Sequence, residues 1–81
     1  MSADTAPGKS LEAIFRSHGL TRRERETAAL LLEGFSNEKI AKQLFLSIPT
    51  VKGFVTGIYR KFNVKSRAEF MVKMFRVPGT E

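Results

Sequence analysis

The chain has 81 residues, with 14 lysines and arginines against 8 acidic residues, one histidine and no cysteine, so its net charge is +6. This length accommodates one small domain. The lack of cysteine excludes a disulfide scaffold, a thiol nucleophile and cysteine-ligated zinc, and one histidine cannot form a metal-binding histidine cluster. No apolar run approaches the roughly 18 residues of a membrane-spanning helix. The first ten residues lack the apolar segment of a signal peptide.

The positive charge is concentrated in the second half of the chain. Residues 1–38 carry a net charge of −1, whereas residues 39–76 carry +8, and no acidic residue occurs between Glu38 and Glu69. A basic segment within a chain that is 42% hydrophobic, and therefore able to fold, indicates a polyanionic partner. Nucleic acid is the first candidate and an anionic membrane surface the second.

The predicted elements begin after a leader at residues 1–10, where Pro7 and Gly8 interrupt any periodicity. Apolar residues at Leu11, Ile14 and Phe15 then predict a short first helix.

A capping box formed by Thr21 and Glu24 predicts the start of a second helix, which continues to about Glu33. Ser36 is the predicted cap of a third helix at residues 37–44.

Ser47 caps the next helix, predicted at residues 48–62, and Asn63 is suited to the left-handed conformation that ends it. Ser66 and Glu69 resemble a second capping box, which opens a last helix. No segment alternates with the period of a strand. The sequence therefore predicts an all-α domain over residues 11–77, with four main helices plus a short leading one, and a tail at 78–81.

The helices at 37–44 and 48–62 are separated by only three residues, so they must cross steeply, as in a helix-turn-helix. The second of the two is amphipathic. At 100° per residue, its apolar side chains fall within about 60° of one another. They are Val51, Val55, Ile58 and Phe62.

The opposite face of the same helix carries side chains suited to DNA. Thr56, and Lys52 toward one flank of this face, can donate hydrogen bonds to base edges, and Gly53 presents bare backbone. Gly53 and Gly57 each cost about 1 kcal/mol relative to alanine within a helix, which close approach to the groove floor would offset. Phosphate contacts are assigned to nearby polar and basic residues. These are Thr50, Arg60, Lys61 and Lys65.

The order and spacing of several motifs resemble the LuxR-type (GerE-like) helix-turn-helix domain of bacterial transcription regulators. The motifs, within residues 20–75, are Leu20-Thr21-Arg22-Arg23-Glu24-Arg25-Glu26, Glu33-Gly34-Phe35-Ser36-Asn37-Glu38-Lys39-Ile40-Ala41, Leu44-Phe45-Leu46-Ser47, Thr50-Val51-Lys52, Ile58-Tyr59-Arg60-Lys61-Phe62 and Val64-Lys65-Ser66-Arg67-Ala68-Glu69. The resemblance implies a cytoplasmic, dimeric regulator of double-stranded DNA whose recognition helix lies in the major groove. It also implies DNA contacts at six positions. These are Thr50, Lys52, Gly53, Thr56, Arg60 and Lys61.

The sequence departs from the family at three places: Phe54, where histidine is frequent, Gly57, where a polar residue is frequent, and Gly53, which usually carries a side chain. Lys52 and Thr56 would then carry most of the base recognition.

The last helix carries two adjacent apolar stripes, formed by Phe70 with Met74 and by Met71 with Phe75. This surface is wider than one small core contact, so part of it is predicted to pair with a second copy. A two-fold dimer would place two recognition helices about 34 Å apart and imply an inverted-repeat site.

Two charged residues outside this face are predicted to have structural roles. Arg67 is expected to bind Glu24 or a main-chain carbonyl group, and His18 the carbonyl end of its own helix.

Two function classes remain open. The first is a sequence-specific DNA-binding regulator or its output domain. The second is a protein-interaction module, in which the phenylalanine and methionine side chains of the last helix bind a partner protein, with RNA polymerase as one candidate. On this alternative the basic helix is incidental or binds polymerase-bound DNA. The residues suggest no enzyme, cofactor, metal or membrane contact, since they contain no nucleophile–base pair and no phosphate-cradling glycine loop.

Overall fold

The computed structural model describes residues 11–75, and the predicted leader and tail lie outside this range. Within it there are five helices and no strand, which confirms the all-α prediction. In chain order they are α1 (Leu11–Ser17), α2 (Arg22–Leu32), α3 (Asn37–Leu44), α4 (Ile48–Phe62) and α5 (Arg67–Phe75).

Side-chain caps begin the three central helices at the predicted residues. At α2, the Glu24 amide donates to Thr21 Oγ1 (3.3 Å) and the Thr21 amide donates to Glu24 Oε1 (2.9 Å), which completes the capping box. Ser36 and Ser47 accept hydrogen bonds from the amides three residues later, each at 3.2 Å. Free amides at a helix start need such acceptors, and short-range chemistry supplies them here.

The cap of α5 differs from its prediction. Ser66 Oγ does accept from the Glu69 amide (3.1 Å), but Glu69 Oε1 accepts from the Lys65 amide (2.7 Å), one residue before the cap. Only half of the predicted capping box therefore forms.

The helices α3 and α4 form the predicted helix-turn-helix. Phe45, which ends α3, has a left-handed backbone with φ of 58°. The Leu46 amide donates to the Ala41 carbonyl oxygen (2.9 Å), and Pro49 occupies the first turn of α4. This turn lets the chain reverse within three residues, because the left-handed residue closes α3 with its carbonyl groups satisfied.

The core is formed by one face of each helix and centres on Phe62, at the end of α4. Phe15 and Phe70 meet the Phe62 ring edge-on, with ring centroids 6.3 and 5.2 Å away. The predicted apolar stripe of α4 points inward: Val51, Ile58 and Phe62 are buried and Val55 is half-buried. Burial of this stripe fixes which face of α4 remains exposed. The other buried apolar residues are Leu20, Ala28, Leu31, Ile40 and Ala41.

Candidate nucleic-acid interface

The exposed face of α4 carries the residues predicted to face DNA bases. Lys52, Gly53 and Thr56 are exposed, as is Arg60 one turn further on. Lys52, Thr56 and Arg60 follow one another at intervals of four, so they form a single polar line along the helix. Thr56 and Arg60 lie opposite the buried stripe and Lys52 lies toward one flank of it, an arrangement that presents donors to a ligand while the helix stays anchored in the domain.

The first turn of α4 adds a hydroxyl group to this surface. Ser47 Oγ accepts from the Thr50 amide and donates to Thr50 Oγ1 at 2.8 Å. The Thr50 oxygen is the acceptor in this bond, so its own hydrogen is available to a phosphate oxygen. Both residues are exposed.

Lys61 has partners within the domain, which its assignment as a phosphate contact did not anticipate. Its Nζ donates to Glu24 Oε1 at 2.8 Å and to the Gly19 carbonyl oxygen at 3.0 Å. These partners precede it by 37 and 42 residues, so spacing along α4 gives no sign of them. The ammonium group therefore links the end of α4 to the α1–α2 junction.

The Glu24 carboxyl is the buried member of this ion pair, with only 8% of its surface exposed. Burial raises its pKa. Hydrogen bonds from Lys61 and the Thr21 amide, together with the Lys61 charge, lower the pKa by more than burial raises it. The net result is a pKa below the ordinary value of 4.5, so the carboxylate is ionised at neutral pH.

Gly57 is explained by the same carboxylate. A Cβ atom at Gly57 would lie 2.6 Å from Glu24 Oε2, whereas one at Gly53 would meet nothing within 4 Å. The close approach at Gly57 is therefore made by a side chain of its own domain. The prediction that Gly57 allows close approach to the groove floor is therefore replaced, whereas for Gly53 it stays a prediction.

Other basic side chains extend the surface beyond α4. Lys65 is exposed just after α4, as predicted, and Lys39 and Lys42 are exposed on α3. These two were missing from the sequence-based site. The sequence does contain a pattern that indicates them, because both lysines fall in the stretch without acidic residues that follows Glu38.

The predicted dimer contacts on α5 divide into two groups. Phe70 is fully buried against Phe62 and cannot reach a second copy, so its assignment as a dimer contact is corrected to a core role. Met71 and Met74 are half-buried, and Phe75 is 62% exposed. Val72, which the sequence analysis omitted, is 59% exposed.

The exposed apolar residues of α5 form one stripe of their own. Ala68, Val72 and Phe75 lie within about 60° of one another on the helix, turned away from Phe70. Ala68 and Val72, together with Val64, also line a shallow surface depression. The spacing of apolar residues on α5 separates this stripe from the buried one only when the inward side of the helix is already known.

The two predicted structural roles are found. Arg67 Nη2 donates to the carbonyl oxygens of Leu31 (2.8 Å) and Phe35 (2.6 Å), which ties α5 to the end of α2. His18 Nδ1 lies 3.0 Å from the Ile14 carbonyl oxygen, and its ring stacks on Phe62 at a centroid distance of 4.0 Å. Within residues 11–75, no group of three or more histidine and acidic side chains is placed to hold a metal ion.

The fold and the exposed polar face of α4 define a helix-turn-helix domain. The profile of the family described as "Bacterial regulatory proteins, luxR family" matches residues 18–74. The chain therefore belongs to the LuxR family, whose members are DNA-binding transcription regulators, and it carries the DNA-binding domain of that family. Helix α1 lies before the matched region.

Curated relatives agree with this assignment. The chain is 41% identical over 59 residues to the transcriptional regulatory protein DegU of Brevibacillus brevis, covering 73% of this chain and 25% of that protein. It is 36% identical over 62 residues to the spore germination protein GerE of Bacillus subtilis, covering 76% and 84%. It is 37% identical over 59 residues to the regulator MalT of Vibrio campbellii, covering 73% of this chain but 6% of MalT.

The chain thus spans a quarter or less of DegU and MalT, and most of GerE. No solved structure matches it. Among the described residues, no helix has the length and apolar character needed to cross a membrane.

Proposed function

We propose that the chain binds double-stranded DNA sequence-specifically as a transcription regulator or as the output domain of one, with α4 in the major groove. The observation that carries this proposal is the exposed line of Lys52, Thr56 and Arg60, which lies away from the buried stripe of the same helix. Lys52 and Thr56 contact base edges, with Gly53 allowing close approach, and Thr50, Arg60 and Lys65 contact phosphates. A duplex DNA partner places the domain in the cytoplasm.

The test is selection from a pool of randomised duplexes, followed by binding to the selected site and to a scrambled duplex. Lys52→Ala should reduce discrimination between the two, because a base contact is lost. Lys65→Ala should weaken binding to both by a similar factor, because a phosphate contact carries no sequence information. If the selection enriches no sequence, the proposal of a specific regulator fails.

Two copies are proposed to bind an inverted repeat through the exposed stripe of α5. Val72 and Phe75 then contact the second copy, flanked by the half-buried Met71 and Met74. Val72→Glu should reduce the two-copy complex on DNA observed by sedimentation, since it places a charge in an apolar contact. Leu11→Glu, at an exposed apolar position of α1, is the matched control. Unchanged stoichiometry for Val72→Glu would exclude this interface.

A protein-interaction module remains the second candidate because of Phe45, whose side chain is 93% exposed in the turn before α4. An exposed aromatic side chain suits a protein partner such as RNA polymerase. On this hypothesis, Phe45→Ala weakens capture of purified polymerase while duplex affinity is unchanged.

A further inference from the structure

The end of α4 is joined to the start of α2 and to the α1–α2 junction by an ion pair and a hydrogen bond. Lys61 Nζ lies 2.8 Å from Glu24 Oε1 and 3.0 Å from the Gly19 carbonyl oxygen. The carboxylate is nearly buried, and about a third of the Lys61 side chain remains exposed. One ammonium group therefore satisfies two acceptors that belong to other parts of the chain.

The acceptor is held in place before Lys61 reaches it. Glu24 Oε1 also accepts from the Thr21 amide at 2.9 Å, in the capping box that begins α2. A carboxylate fixed in this way loses little further freedom when it pairs with a cation, unlike the partners of a flexible surface ion pair. The capping box of α2 thus fixes the position of the Glu24 carboxylate, and Lys61 forms its ion pair with a carboxylate that is already in place.

The surface of α4 is shaped to receive this carboxylate. Glu24 Oε2 lies where a side chain at Gly57 would begin, 2.6 Å from the position of its Cβ. Gly57 and Lys61 are four residues apart and hence neighbours on one side of the helix. The carboxylate of Glu24 therefore occupies the flank of α4 between them.

This arrangement conflicts with a phosphate contact by Lys61. Moving the ammonium to a phosphate would leave a nearly buried carboxylate without its cation, and removal of one partner from such a pair carries a large penalty. The exposed line at Lys52, Thr56 and Arg60 has no such tie to an internal carboxylate among the described contacts.

We propose that Lys61 is a positioning residue that holds the second half of α4 against α2 through Glu24, with Gly57 providing the space, and that it makes no phosphate contact. This inference rests on the proposed DNA-binding function. It gives Lys61 a role that differs from that of Arg60 and Lys65, although all three are basic residues at the end of α4 or just after it.

The salt dependence of duplex binding distinguishes the two roles. Each phosphate contact contributes about 0.9 to the slope of log affinity against log salt concentration. Lys65→Met should therefore lower the slope by about 0.9. Lys61→Met should reduce affinity at every salt concentration while leaving the slope as in the parent protein. A loss of about 0.9 from the slope in Lys61→Met would overturn the proposal.

A double-mutant cycle tests whether Lys61 acts through Glu24. In the Glu24→Gln background, Lys61→Met should cause little further loss of affinity, because the ion pair is already absent. An equal fold-loss in both backgrounds would show that Lys61 acts independently, and the proposal would fail. Circular dichroism and thermal unfolding establish the temperature at which all variants are folded.

The parent protein provides a test that needs no variant. The Lys61 side-chain ammonium and the Glu24 carboxyl carbon should keep their NMR chemical shifts when saturating duplex is added. Transfer of Lys61 to a phosphate would move both signals and overturn the inference. The outcomes remain separate from those of the proposed function, because a parent protein that binds no duplex defeats that function, whereas binding with a phosphate-bound Lys61 defeats only this inference.

Discussion

At the scale of single residues, the two glycines of α4 differ in what surrounds them. Gly53→Ala should raise the free energy of unfolding by about 1 kcal/mol, because alanine has the better helix propensity and its Cβ meets nothing within 4 Å. Gly57→Ala should gain less than this or lose stability, because the Glu24 carboxylate must move away from its contact with Lys61. Urea unfolding of both variants measures the difference.

Each glycine variant is the control for the other, since both add one methyl group to the same helix. Equal gains at Gly53 and Gly57 would show that the Glu24 carboxylate moves at no cost. The connection between Glu24 and Lys61 would then have little energetic importance.

Residue roles that depend on neighbours in sequence were predictable, and those that depend on distant partners were not. Thr21, Ser36 and Ser47 cap their helices as expected, because a cap involves only the next three residues. The phosphate role predicted for Lys61 follows from its charge and its place on α4, and spacing gives no sign of its partner Glu24, which is 37 residues away. Arg67 was an intermediate case, since a carbonyl partner was expected but Leu31 and Phe35 were not identified.

At the scale of elements, the helix boundaries agree with prediction more closely than the use of helix faces. The predicted ranges 37–44 and 48–62 are those of α3 and α4, because capping residues mark both ends. On α5, periodicity revealed two apolar stripes but not which one the rest of the domain would cover. Phe62 and Tyr59 decide this by packing on Phe70, so the remaining exposed stripe is a different one from that expected.

The first helix is predicted to be an integral part of the domain, although it precedes the region matched by the family. Phe15→Ala should lower the free energy of unfolding by roughly 3–5 kcal/mol, because the fully buried ring packs on Phe62. Leu11→Ala, at an exposed position of the same helix, should have little effect. Both are measured by urea unfolding.

The comparison of these two variants isolates the packing of α1 from its helix propensity. If Phe15→Ala cost no more than Leu11→Ala, α1 would contribute nothing to the core. A large loss for Phe15→Ala alone would show that α1 supports the end of α4, since Phe62 is the last residue of that helix.

At the scale of the whole molecule, folding exposes the basic residues of the second half of the chain at the surface. The stretch between Glu38 and Glu69 contains no acidic residue, and it forms most of α3, all of α4 and the start of α5. Lys52, Arg60 and Lys65 lie in this stretch and are exposed. Since their neighbours along the chain carry no carboxylate, none of these neighbours repels phosphate. Within residues 11–75, the carboxylate that contacts α4 is that of Glu24, which comes from α2 and is paired with Lys61.

That ion pair also predicts how the stability of the whole domain depends on pH. The pKa of Glu24 in the folded protein lies below its ordinary value of 4.5, so below about pH 4.5 the unfolded state binds a proton at Glu24 more readily than the folded state. The contribution of Glu24 to stability is therefore complete above that pH and is lost as the pH falls through the folded pKa. Urea unfolding between pH 3 and 7 should show this loss in the parent protein.

Variants at both ends of the pair assign the acid sensitivity to this contact. Glu24→Gln should be less stable than the parent at pH 7, and its stability should fall less steeply below pH 4.5, because the titrating group is gone. Lys61→Met should also weaken the pH dependence, since Lys61 donates the hydrogen bond and supplies the charge that lower the pKa of Glu24. If Glu24→Gln retained the full acid dependence of the parent, other carboxyl groups would be responsible for it, and the pair would contribute little to the stability of the fold.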